Sequence, residues 1–83
     1  MKGATYAQLD KVLCSLGFSV RVVTVENKLR VYEHEQSGAR LALAYRPDSD
    51  AVLPHHMAAV QGALRVHGIA DPLDFALELQ KAS

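Results

Sequence analysis

Eighty-three residues make one domain, residues 1–83, because a chain this short buries only about 60% of its unfolded surface and cannot supply two cores. Hydrophobic residues at 49% and charged residues at 22% exclude the polar, highly charged regime in which chains stay disordered. Nine Lys/Arg against nine Asp/Glu cancel, which excludes the general attraction of a basic protein for nucleic acid and leaves polyanion affinity to a local patch.

Met1-Lys2-Gly3-Ala4 leads straight into a polar-apolar pattern without the apolar core of a secretory signal. The longest apolar runs, such as residues 41–45, fall far short of the ~20 that span a bilayer. A cytoplasmic protein with no membrane contact is the expectation. Thr5 and Gln8 have the spacing of a capping box, and Tyr6, Leu9, Leu13 and Leu16 then recur at steps of three or four beside Val12, which predicts an amphipathic helix. The single Cys14 on that helix has no disulfide partner and reads as a small apolar residue. Gly17 stops the helix, since glycine takes the left-handed conformation without a Cβ clash.

From Phe18 to Val25 the chain is β-branched and alternating, with Phe18, Val20 and Val22 on one side and Arg21, Val23 and Val25 on the other. Glu26-Asn27 reads as a tight turn into a second strand, where Leu29 and Val31 alternate with Lys28, Arg30, Tyr32 and His34. Gln36-Ser37-Gly38 turns into a third, with Leu41, Leu43 and Tyr45 alternating with Arg40, Ala42, Ala44 and Arg46. After the polar turn of residues 47–50, Pro54 suits the first turn of a helix with Met57, Val60 and Leu64 inward, ended by Gly68. Asp71 caps a third helix with Pro72 in its first turn and Leu73, Ala76, Leu77 and Gln80 on its apolar side. The predicted fold is α+β: a three-stranded antiparallel meander with helices on one face, in the order α-β-β-β-α-α.

If Phe18, Val20, Val22, Leu29, Val31, Leu41, Leu43 and Tyr45 face the helices, the outer face collects Arg21, Lys28, Arg30, Tyr32, His34, Arg40 and Arg46. Those cations with one aromatic ring have the composition that grips phosphates and stacks a base. An ordinary solvated outer face has the same pattern, and Val23, Val25, Ala42 and Ala44 add apolar area suited to a partner protein or a second copy.

Three stretches, residues 13–18 (LCSLGF), 31–43 (VYEHEQSGARLAL) and 53–69 (LPHHMAAVQGALRVHGI), together resemble the HicA family of small messenger-RNA-cleaving toxins, also called YcfA-like. In that family a first helix ends in a Gly-aromatic pair, a hairpin carries Gly-Ser-His-x-x-Phe, and Leu-Pro opens a helix that ends in Gly-Leu or Gly-Ile. The resemblance implies a fold like a double-stranded-RNA-binding domain, an endoribonuclease activity, and an antitoxin-like protein partner. Its catalytic residue is the hairpin histidine. With Tyr32 on the family's aromatic, Leu29 stands at that position, after Asn27-Lys28 in place of Gly-Ser. Leucine carries no titratable group, and the roughly 10²–10⁴-fold contribution of general acid-base catalysis is lost with the imidazole.

The other histidines take separate readings. His34, two residues past the aromatic, is the one candidate for a substitute catalytic group. His55 and His56 follow Pro54, where helix N–H groups attract anions, although adjacent helix positions point about 100° apart and do not make a metal pair. His67 suits the carboxyl end of the same helix dipole. Metal-binding spacing, nucleotide loops and cofactor signatures are lacking, so no cofactor is expected. The expectation is a noncatalytic HicA-like module, a degenerate toxin component that binds RNA or a partner protein. The alternatives are a weak ribonuclease using His34 and a protein that forms a homodimer through the outer sheet face.

Overall fold

The computed structural model describes residues 4–24 and 26–82; Val25, expected in the first strand, lies outside them with Met1, Lys2, Gly3 and Ser83. Six elements follow in the predicted order: α1 (Tyr6–Ser15), β1 (Phe18–Thr24), β2 (Lys28–His34), β3 (Ala39–Ala44), α2 (Pro54–Val66) and α3 (Pro72–Lys81). Each helix starts where its chemistry predicts. The Thr5 hydroxyl accepts from the Gln8 N–H while the Gln8 amide accepts from the Thr5 N–H, and Asp71 caps the Asp74 N–H at 3.0 Å. The chain leaves α1 through Gly17 at φ +100°, where a Cβ would sit 3.2 Å from the His34 imidazole.

The sheet is antiparallel in the order β1-β2-β3. On its inner face α1 packs on β1 and α2 on β3, while α3 packs against both helices. Tyr6, Leu9 and Leu13 from α1, Phe18, Tyr32 and Leu43 from the sheet, Val60 and Leu64 from α2, and Phe75 from α3 form the core. Residues 47–53 are tied to the start of α1: the Tyr6 N–H donates to the Asp50 carbonyl, Ala7 N–H to Asp48 and Val52 N–H to Ala4, at 2.8–3.1 Å.

The structure corrects three expectations. The buried side of α3 is Phe75, with Leu79 and Ala82 half-buried; Leu73, Ala76, Leu77 and Gln80 are exposed, Leu73 at 70%. A fully enclosed aromatic ring removes more apolar area from water than either leucine, and it sets the rotation of the helix. Cys14 is exposed on α1.

The third correction reverses β2. Its register pairs Thr24 with Lys28, Val22 with Arg30, Val20 with Tyr32 and Phe18 with His34. Three residues, 25–27, therefore lie between the paired ends instead of the two of a tight turn, and a one-residue change in register moves every side chain of a strand to the other face. Directly opposed residues share a face, so Arg30, Tyr32 and His34 follow Phe18 and Val20 inward, and Leu29 and Val31 turn outward. β1 and β3 keep their expected faces.

Because Phe75 is the fully buried anchor of α3, Phe75→Ala is expected to cost about 3–5 kcal/mol in denaturant unfolding. Leu73→Ala on the exposed side is expected to change stability by less than about 0.5 kcal/mol.

Candidate functional site

Turning β2 inward puts three polar-tipped side chains into the core, and each meets a partner. The Arg30 guanidinium, with only 3% of its side chain exposed, donates through Nη1 to Asp10 on α1. Its Nη2 donates to the Asp48 carboxylate at 2.7 Å and to the Arg46 carbonyl at 2.9 Å. The guanidinium carbon lies 5.4 Å from the Tyr6 ring centre and 5.3 Å from that of Tyr45, a cation–π arrangement. Nε is buried without a partner. Burial opposes the charge, but the hydrogen bond to Asp48 and the field of Asp10 outweigh it and raise the pKa further. The Tyr32 hydroxyl donates to the other Asp10 oxygen; burial first, and then Asp10, push its pKa up, so it remains a donor. One carboxylate thus holds two residues of β2 to α1.

His34 closes the opposite end of the strand. Its Nδ1 accepts from the Ser37 N–H at 3.2 Å and lies 2.8 Å from the Ser37 hydroxyl, while Nε2 lies 3.1 Å from the Leu16 carbonyl. A backbone N–H only donates and a carbonyl only accepts, which places the ring proton on Nε2. Both nitrogens are engaged, the ring is 7% exposed, and it stacks at a tilt on Phe18. A group so engaged lacks the free nitrogen that a base needs within reach of a substrate proton.

His55 and His56 separate as their 100° offset requires. His56 turns inward, where the Tyr6 hydroxyl accepts from the Leu53 N–H at 3.2 Å and is hydrogen-bonded to His56 Nδ1 at 2.6 Å. His55 is exposed, its ring 4.4 Å from that of His56. Burial, then the charges of His55 and Arg46, lower the His56 pKa below 6.5. His67 is the exposed C-cap of α2. Among the described residues, no group of three or more His, Cys, Asp or Glu is placed to hold a metal ion.

The expected cationic face is therefore divided. Lys28 lies on the inner side over the Tyr45 ring at 4.1 Å, and Arg46 pairs with Asp50 at 3.2 Å. Arg30, Tyr32 and His34 are internal, and only Arg21 and Arg40 remain on the outer face of the strands. Between them stands Glu33, which shares the parity of Leu29 and Val31: its two oxygens pair with Arg21 at 2.8 Å and Arg40 at 3.0 Å, bridging all three strands. Beside that bridge lie Val23, Leu29, Val31, Ala42 and Ala44. The outer face is thus an apolar patch at one end and a compensated ion cluster at the other. Sequence reasoning missed both Glu33 and Leu29 as surface residues for one reason, the register of the first hairpin. Among the described residues, no helix is long and apolar enough to cross a membrane. Comparison with known proteins brings no match, neither to a family model, nor to a curated protein, nor to a solved structure.

Two stability measurements check the internal site. Asp10→Ala leaves a buried guanidinium facing one solvent-exposed carboxylate and is expected to cost roughly 3–5 kcal/mol. Asp48 is 67% exposed and water replaces it, so Asp48→Ala is expected to cost about 1 kcal/mol or less. For His56 the folded-state pKa is the lower one, so the unfolded chain binds the proton first. Its contribution is complete above pH 6.5 and is lost as the pH falls through that value toward the folded one. His56→Asn, whose side-chain amide can either accept from or donate to the Tyr6 hydroxyl, is expected to flatten the loss of stability between about pH 7 and 5.

Proposed function

We propose that this chain is a noncatalytic HicA-like binding module that takes a partner protein on the outer face of its sheet. The observation that carries the reading is Leu29. The family resemblance aligns this position with the catalytic histidine, and here an apolar side chain stands on the open face among Val23, Val31 and Ala44. A surface that lacks a titratable group there and offers packing area has the chemistry of protein contact. The ion cluster supports the same choice over RNA. Arg21 and Arg40 share Glu33, so a bound phosphate must compete with a carboxylate already in place.

A degenerate toxin component that has kept its partner and lost its reaction fits this arrangement. Retained ribonuclease activity through His34 finds no support, since both ring nitrogens are bonded internally and the ring lies on the inner face, opposite Leu29.

The test uses the purified chain as immobilised bait, with Leu29→Asp as its variant. Leu29 is half-buried at the surface, so the substitution leaves the core intact. A captured protein that survives ribonuclease treatment and is lost at least ten-fold with Leu29→Asp is the expected result. Parallel titrations with duplex and single-stranded RNA are expected to show no cleavage and no binding at low salt. Binding that weakens with salt at a slope of about −0.7 per phosphate contact on single strands, and that is unchanged in Leu29→Asp, would return the function to RNA.

A further inference from the structure

Among the described residues, the topology leaves the long sides of β1 and β3 without a neighbouring strand. The phase of the ladder tells which groups of β1 point there. Lys28 directs its carbonyl at β3, accepting from the Tyr45 N–H at 3.1 Å. In an antiparallel ladder the bonding direction alternates, so Lys28, Arg30, Tyr32 and His34 bond β3, while Leu29, Val31 and Glu33 bond their partners Val23, Arg21 and Ser19 on β1. Val20, Val22 and Thr24 therefore aim N–H and C=O away from the sheet. Among the described residues, no main-chain hydrogen bond from another segment reaches them.

This edge lacks the devices that normally blunt one. It has neither proline nor lysine, its seven residues carry a single charge, Arg21, and Val22, the middle one of the three outward-bonding residues, is 48% exposed. β3 differs: its large inner residue Leu43 is already buried and its exposed apolar residues are the alanines 42 and 44. Pairing β1 removes more apolar surface from water than pairing β3.

We propose that β1 pairs antiparallel with β1 of a second copy about a two-fold axis at Val22, joining two sheets into one of six strands. Self-complementarity argues for a second copy, and charge selects the register. Centring on Arg21 would set the two arginines directly opposite each other, which destabilises a ladder. With Val22 at the axis, Val22 faces Val22, Val20 faces Thr24, Arg21 faces Val23, and all three outward residues exchange both hydrogen bonds. Each Arg21 already shares Glu33 within its own chain, and copies of zero net charge do not repel. A strand of seven residues is about 24 Å long and buries less than the ~1,200 Å² of a standard interface, so association depends on concentration. The outer face stays open in the pair, which makes this inference independent of the partner reading above.

Register-specific disulfides test it. In a Cys14→Ser background, Val22→Cys puts two thiols on the axis with Cα atoms about 5.5 Å apart, within the span a disulfide bridges. Thr24→Cys puts its thiols about 13 Å apart along the strands. Mild oxidation is expected to link Val22→Cys into a dimer and leave Thr24→Cys a monomer. Sedimentation of the unaltered chain is expected to pass from monomer to dimer between about 10 μM and 1 mM, with Val22→Lys remaining monomeric. A strict monomer at about 1 mM, a dimer unaffected by Val22→Lys, or equal linkage through Thr24→Cys would overturn the proposal.

Discussion

The buried guanidinium of Arg30 is the constraint on which the rest of this structure depends. Removing an ionised side chain from water is costly, and the cost is met only where carboxylates and carbonyls converge on it. Here they come from three places: Asp10 on α1, Asp48 in the segment before α2, and the Arg46 carbonyl at the end of β3. The same Asp10 takes the Tyr32 hydroxyl. One side of the molecule is therefore ordered by a polar network whose members belong to different elements, and the backbone bonds from residues 48 and 50 to the start of α1 reinforce it. Replacing a buried ion pair by apolar residues of equal volume is often neutral or stabilising, whereas removing one partner of it is costly, so the arginine ties β2 to the arrangement in which its partners are in place. In this chain that arrangement is the register of β2.

The composition of each face follows from the register, which takes some side chains inside and leaves others outside. With Arg30, Tyr32 and His34 inside, the outer face is left to Leu29, Val31 and the Arg21–Glu33–Arg40 bridge. His34, the residue with the most obvious chemical capacity, serves instead to join the end of α1 to the β2–β3 turn through Leu16 and Ser37. The imidazole of His56 likewise belongs to a hydrogen-bond chain from Leu53 through Tyr6, which anchors the start of α2 on α1. The outer face combines half-buried Val23 and Leu29 and the exposed alanines 42 and 44 with the Arg21–Glu33–Arg40 bridge, over a buried Val31.

Local chemistry made the element order legible: the Thr5/Gln8 box, the Gly17 stop, the alternation of β1 and the Asp71-Pro72 start each act within a few residues. What escaped the sequence was nonlocal. Leu29 and Val31 look more apolar than Arg30 and Tyr32, and alternation alone assigns them inward; the opposite result needs Asp10, 20 residues away, to satisfy the arginine. The hidden step is the hairpin loop, where three intervening residues instead of two reverse the strand's parity. The rotation of α3 was missed for a related reason, since Phe75 takes its place in a core formed by distant elements while the Leu73/Leu77 stripe lies in solvent.

Nuclear Overhauser contacts from the β2 side chains test the central claim most directly, because the two faces of that strand see different neighbours. The account predicts contacts from the Tyr32 ring to the apolar side chains of α1, and from the Leu29 and Val31 methyl groups to Ala44, Ala42 and the Arg21 stem. Leu29 and Val31 methyl contacts with α1 or α2, with the Tyr32 ring free of them, would contradict it and restore the cationic outer face.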